Sequence, residues 1–169
     1  MKKTDIHQDR GFTLIEMIIV VVIIGILVTV VVGVSKMVVA RAASEKTRMN
    51  MQVILSAMKT YYDSQGDYPV EESDFSGKPA SWADRDWQAY CRNRKLYQQL
   101  CLVPAVKKKI ATLREDAVSN VEGSYVFIDG FETYMDYFRT GGIGGLPVLI
   151  SAGADRTFDT EDDIRSDNR

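Results

Sequence analysis

The sequence predicts an α+β protein: a long N-terminal helix, first spanning a membrane and then forming a stalk, packs on a small C-terminal domain. Three observations predict this fold. Residues 12–34 form an apolar run, and residues 34–63 continue at helical spacing without proline or glycine. Two short runs rich in branched and aromatic residues, 125–128 and 146–150, have the composition of strands. We therefore expect a small antiparallel sheet with inserted helices.

Composition excludes several classes of function. The chain has 169 residues, with 21 Lys and Arg against 23 Asp and Glu, for a net charge of −2. This length allows one globular domain with a further segment, and this charge provides no field for general nucleic-acid binding. The only histidine is His7, ahead of the apolar run. Catalytic triads with histidine and histidine-ligated zinc sites are therefore excluded from the body, and we expect no enzyme.

The apolar run has the length of a membrane helix. A hydrocarbon core about 30 Å thick needs about 20 apolar residues at 1.5 Å each, and 12–34 meets that need. A secretory signal peptide cut near Ala40-Arg41-Ala42 is the alternative, but its apolar region is typically about 7–15 residues long. Basic residues flank both ends of the run, so charge alone does not set its orientation.

Glu16 is the one acidic residue inside this run. A carboxylate in hydrocarbon costs a few kcal/mol, and the run contains no cation that could pair with it. The carboxylate therefore needs a partner outside the helix, either headgroup water at the membrane edge or a charge on another molecule.

The residues Arg10-Gly11-Phe12-Thr13-Leu14-Ile15-Glu16 resemble the processing site of type IV prepilins and type II secretion pseudopilins. The resemblance implies a pilin-like fold and a leader, 1–11, that a prepilin peptidase removes after Gly11. It also implies N-methylation of the new N-terminus at Phe12. It gives Glu16 a partner, the terminal amine of a neighbouring subunit, and places the leader in the cytoplasm and the body in the periplasm.

The chain then divides into the leader 1–11, the membrane helix 12–34, the stalk 35–63 and the periplasmic domain 64–169. Gly66 and Pro69 predict the end of the stalk helix. Ser81 with Asp84 predicts a capping box at the start of an inserted helix, and Pro104 predicts the start of a second one. The glycine cluster 141–145 lacks a following Gly-Lys-Ser/Thr and predicts a turn rather than a nucleotide site.

The C-terminal segment 151–164 concentrates oxygen ligands directly after a predicted strand. Calcium takes about 6–8 oxygens, but the segment lacks the ligand alternation and central glycine of an EF-hand. It resembles the calcium loop of the major pseudopilins of type II secretion. That resemblance implies the following metal ligands: Ser151, Asp155, Asp162 and Asp163. Asp159 and Glu161 are further candidates because they add carboxylates to the same segment. A solvated acidic tail is the alternative.

Cys91 and Cys101 are candidates for a disulfide, because the periplasm is oxidising. Ten residues of one helix would separate them by about 15 Å, so the bond requires a turn near Asn93; otherwise both are core thiols. Basic and aromatic residues around 82–97 could bind single-stranded DNA, but an amphipathic helix with core aromatics explains them better.

Together these features predict a non-enzymatic, pilin-like structural subunit. The resemblance implies a single-pass protein of the bacterial inner membrane that assembles into a short periplasmic pseudopilus for export of folded proteins. Its partners would be copies of itself, other pseudopilins, the prepilin peptidase and the inner-membrane assembly platform, with nucleic acid unexpected. The alternatives are a type IV pilin for adhesion or DNA uptake, and a membrane-tethered calcium-binding protein that does not polymerise.

Overall fold

The computed structural model describes residues 12–121 and 123–167, without the side chains of residues 30–36. The predicted leader lies outside these residues. The chain divides into two compact units, Met1–Val39 and Ala40–Arg169. The fold is α+β, as predicted. Its helices are α1 (Leu14–Gln65), α2 (Asp84–Leu102) and α3 (Pro104–Ile110), and its strands are β1 (Val118–Val121), β2 (Ser124–Phe127), β3 (Asp136–Phe138), β4 (Val148–Ser151) and β5 (Ile164–Arg165).

Helix α1 ends where glycine permits a left-handed cap. Gly66 has φ 79°, and its N–H donates to the Tyr62 carbonyl at 2.8 Å. This conformation satisfies one of the last carbonyls of the helix without a Cβ penalty. The helix therefore ends at Gln65, two residues after the predicted end at Asp63.

The two inserted helices start differently from one another. Pro104 occupies the first turn of α3, as predicted. The predicted capping box of Ser81 and Asp84 is wrong, because the N-cap of α2 is Ala83 and no side chain caps it. A turn in which the Trp82 N–H donates to the Pro79 carbonyl precedes the helix, so α2 begins later than the Ser-x-x-Asp spacing predicts.

The strands form two separate antiparallel sheets, β1–β2 and β3–β4–β5. Val118 pairs with Phe127 in the first, and Asp136 pairs with Ile150 in the second. One side chain of α2 bonds to strand backbone near both sheets. The Asn93 amide donates to the carbonyls of Phe127 and Met135 and accepts from the Phe127 N–H.

The main core of the larger unit forms where the C-terminal part of α1 packs against α2, α3 and the strands. Its fully buried members include Met51, Ile54, Met58, Leu96, Leu100, Val106, Phe127, Met135, Tyr137 and Leu149. Hydrophobic burial on this face stabilises the unit and explains the three- and four-residue spacing of apolar residues in 51–58.

Gly130 allows the loop before β3 to approach α1 closely. A Cβ at this position would lie 2.1 Å from the Ala43 carbonyl oxygen. The Gly130 N–H donates to the Thr47 hydroxyl at 2.8 Å, and that hydroxyl in turn donates to the Ala43 carbonyl. Glycine is therefore required here by space.

Candidate functional site

The first described residues form a capping box at the start of α1. The Thr13 N–H and hydroxyl both donate to Glu16 Oε2, at 2.8 and 2.7 Å, and the Glu16 N–H approaches the Thr13 hydroxyl at 3.3 Å. Thr-x-x-Glu before an apolar run is the sequence signature of this motif. Glu16 therefore has a partner within its own helix, which the sequence interpretation missed.

Only one carboxylate oxygen is used in this arrangement. Within the described part of the chain, Glu16 Oε1 accepts no hydrogen bond. It stays free to bind a second donor. The Glu16 side chain is exposed in this single chain, and so is Phe12.

The predicted membrane span 12–34 is apolar and exposed over residues 12–28. Large exposed side chains in it include Phe12, Leu14, Ile15, Ile18, Ile23 and Leu27. Its last five residues, 30–34, are among those whose side chains are not described. Across the residues that were described, no helix combines the length and the apolarity needed to traverse a bilayer.

In the acidic segment 151–164, backbone N–H groups donate to one carboxylate oxygen each of Asp155, Asp162 and Asp163. Asp162 Oδ2 accepts from the N–H groups of Ala154 and Asp155, at 2.6 and 3.0 Å, and the Thr160 hydroxyl donates to its Oδ1. These bonds hold the pKa of Asp162 below its usual value, the Thr160 bond most strongly. The arrangement folds the loop around Asp162.

Asp163 differs from the other acids of the loop. Its Oδ2 accepts from the Asp159 N–H at 2.9 Å, whereas its buried Oδ1 has no hydrogen-bond partner. Burial raises the pKa of Asp163. An unpaired buried carboxylate oxygen is costly, so this atom is the part of the loop best suited to a cation.

The other predicted ligands are exposed or hydrogen-bonded to other groups. The buried Ser151 hydroxyl donates to Asp129 Oδ2 at 2.5 Å, and the exposed Asp155 accepts from the Thr157 N–H. Glu161 is exposed. Within residues 12–121 and 123–167, no three side chains of acid, cysteine or histidine converge into a metal-binding group.

A buried ion-pair network connects α2 to the strands, and no local pattern in the sequence predicts it. Arg92 forms a bidentate pair with the fully buried Asp136, with both distances 2.7 Å. Arg85 also donates to Asp136, and its Nε lies 3.0 Å from Asp159 Oδ2 in the acidic loop. The guanidinium of Arg85 lies over the Phe158 ring at 4.4 Å. Arg85 thus holds the loop against α2.

The aromatic residues of α2 belong to the core. Trp87 and Tyr90 are buried, and they form ring contacts with Trp82 and Tyr134. Arg92 is nearly buried in its ion pair. These side chains do not form an exposed basic and aromatic surface.

Cys91 and Cys101 are free thiols, so the predicted disulfide is not formed. Helix α2 continues through Asn93 without the required turn, and ten helical residues separate the two positions by about 15 Å. A disulfide needs Cα atoms within about 7 Å. Burial raises the pKa of both thiols, which lowers their reactivity.

Comparison with known families identifies the N-terminal segment. Residues 6–32 match the family model for the prokaryotic N-terminal methylation motif. No curated protein and no solved structure matches the chain. The chain thus carries a type IV prepilin-like leader, which supports the pilin and pseudopilin family of non-enzymatic structural subunits.

Proposed function

We propose that this protein is a pseudopilin, the subunit of a short periplasmic filament that helps a type II secretion system export folded proteins. The methylation motif over residues 6–32 carries the proposal, because such a leader implies cleavage by a prepilin peptidase and assembly into filaments. The exposed apolar face of residues 12–28 supports it, since these side chains need a membrane or other subunits around them.

Processing would free the amine on which assembly depends. The peptidase would cut after Gly11, and the new amine of Phe12 would then be methylated. Phe12 lies directly before the Thr13–Glu16 capping box. Cleavage removes none of the bonds within that box, so the start of α1 is retained in the mature subunit.

Glu16 would then bind the amine of a neighbouring subunit. Oε2 is held by Thr13, which orients the carboxylate, and Oε1 stays available for the incoming charge. In a low-dielectric environment a charge pair interacts far more strongly than in water. The pair would favour one axial register between neighbouring helices.

The test is Glu16→Gln in the bacterium that makes the protein. The amide oxygen can still accept from Thr13, so α1 keeps its start, but the neutral side chain cannot form the ion pair. We expect membrane insertion to persist and filaments to become few or absent by electron microscopy. Asp63→Asn, an exposed change on the same helix, is the matched control and should leave filaments unchanged. Normal filaments from the Glu16→Gln strain would contradict this role.

Deleting the gene distinguishes the secretion role from its alternatives. A pseudopilin predicts that a set of folded proteins disappears from the medium and accumulates in the periplasm. Loss of surface adhesion or DNA uptake with intact secretion would instead indicate a type IV pilin. Purified membranes without filaments in any condition would indicate a tethered protein that does not polymerise.

Calcium binding by the acidic loop is a further part of the proposal. The unpaired Asp163 Oδ1 supports it, since a cation would compensate this buried oxygen. Asp163 would supply the first carboxylate ligand, and backbone carbonyls would supply further oxygens. Asp155 and Asp162 would join only after the loop rearranges, because no three acidic side chains converge among the described residues. Ser151 is poorly placed for the role, because its hydroxyl is bonded to Asp129. The metal would stiffen a loop that Arg85 already holds at Asp159.

A further inference from the structure

A groove along α1 contains a polar atom without a partner. The groove is lined by six residues along one face of the helix and by the segment that follows α3. Its volume is about 310 Å³. Its lining comprises Ala42, Glu45, Lys46, Met49, Asn50, Val53, Thr112, Leu113 and Arg114. Asn50 is only 4% exposed, yet its Nδ2 donates no hydrogen bond.

An unpaired buried amide costs free energy in the isolated subunit. Natural structures leave few such groups, and those that remain need an explanation. The groove wall beside this amide is largely apolar, with Met49 strongly exposed. A ligand for the groove therefore combines apolar side chains with a hydrogen-bond acceptor. Lys46 and Arg114 at its rim are balanced by Glu45 in the lining and by Asp116, with which both cations pair, so an uncharged ligand fits best.

The same chain presents a surface with these properties. We define the 143–147 turn as Ile143-Gly144-Gly145-Leu146-Pro147, which carries no charge. Ile143 and Leu146 are 53% and 56% exposed. Positive φ at Gly144 and Gly145 tightens the turn.

The turn also has a free acceptor. In a continuing 3-10 turn the Gly144 carbonyl would accept from the N–H of residue 147, but that residue is proline and has none. No other donor reaches this carbonyl within the described part of the chain. The structure thus has an unused donor in the groove and an unused acceptor on the turn.

We propose that the groove binds the 143–147 turn of a second copy of this chain, with Asn50 Nδ2 donating to the Gly144 carbonyl. Ile143 and Leu146 enter the apolar part of the groove, and the hydrogen bond fixes the position of the turn. This proposal rests on the proposed function, because it supplies a contact between filament subunits.

The geometry of the contact suits a filament. Groove and turn are different surfaces of one chain, so the contact is heterologous and can repeat indefinitely. The turn borders Leu55 and Met58, and Met58 lies eight residues beyond Asn50, about 12 Å along α1. Successive copies therefore stack with an axial offset.

The direct test is cysteine cross-linking of the full-length protein in the bacterium that makes it, in a Cys101→Ser background. One cysteine replaces Val53 in the groove and the other replaces Ile143. We expect an oxidised ladder of dimers and higher multimers only when both cysteines are present. Val53→Cys with Leu102→Cys is the matched control, because Leu102 is 79% exposed but belongs to neither surface. It should give no ladder.

A second test separates assembly from folding. Asn50→Leu removes the unpaired amide, so the subunit should melt at the same temperature or higher, whereas its association should weaken about tenfold or more. Asn93→Leu is the contrast, because its amide is fully bonded to the strands; that variant should melt at a markedly lower temperature.

The outcomes are distinct. Wild-type filaments without a Val53–Ile143 cross-link would overturn this contact and leave the proposed function intact. Wild-type filaments that are equally abundant with Asn50→Leu would overturn the role of the amide. A wild-type protein that forms no filaments would overturn both proposals.

Discussion

Replacing Asp136 with asparagine should unfold the larger unit at a much lower temperature. Asp136 is completely buried and receives two hydrogen bonds from Arg92 and one from the Tyr137 N–H. Asp136→Asn keeps the shape of the side chain but leaves the buried guanidinium without its counter-charge. Removing one partner of a buried ion pair costs about 3–5 kcal/mol. At about 3 °C per kcal/mol for a unit of this size, the midpoint should fall by about 9–15 °C.

Thermal and urea unfolding of the detergent-solubilised full-length protein, followed by circular dichroism, measures this loss. Arg85→Gln is the matched control, because Arg85 is partly exposed and Asp136 keeps Arg92; it should cost about 1 kcal/mol. The double variant Arg92→Met with Asp136→Leu should recover most of the stability. A cost below about 1 kcal/mol for Asp136→Asn would show that the pair is not energetically important.

Two further predictions concern packing and the acidic loop. Gly130→Ala places a Cβ against the Ala43 carbonyl and should destabilise by about 1–3 kcal/mol, whereas Gly77→Ala, which meets no atom within 4 Å, should cost less in the same melt despite its positive φ. Without calcium, Asp163→Asn should raise the melting temperature at neutral pH. Relative to Asp163→Asn, the wild-type protein should lose stability as pH rises from the ordinary aspartate pKa through the raised pKa of Asp163, because the buried oxygen then becomes charged. Calcium at about 100 times its dissociation constant should stabilise the wild type by about 2.7 kcal/mol, magnesium less, and Asp163→Asn hardly at all. Identical melts in calcium, magnesium and chelator would leave the loop without a metal.

Local signals in the sequence predicted the ends of the helices well. Gly66 and Pro104 act through their own backbone geometry, so their effects do not depend on distant residues. The Thr13–Glu16 capping box is equally local. It is missed when Glu16 is considered only as a charge inside a membrane helix. Ser81 shows the limit of such signals, since the preceding turn delays the helix that its spacing predicts.

The features that depend on distant residues could not be predicted. Arg92 and Asp136 are 44 residues apart, and no periodicity relates one to the other. The role of Arg85 in holding Asp159 requires knowing that α2 lies beside the acidic loop. Whether Cys91 and Cys101 form a disulfide depends on whether the chain turns near Asn93. Helix propensity alone does not predict whether α2 is interrupted there.

Asn93 couples the docking of α2 to the hydrogen bonding of the strands in the larger unit. A side-chain amide carries the same donor and acceptor as a peptide group, and here it pairs with Phe127 and Met135 as a short piece of strand would. The two sheets share no strand. The Asn93 side chain therefore provides hydrogen bonds between them that a shared strand would otherwise provide. The backbone groups of Phe127 and Met135 therefore reach their full hydrogen bonding only when α2 docks. The Phe127 N–H, bonded only through that docking, should exchange with solvent hydrogen no faster than the whole unit unfolds.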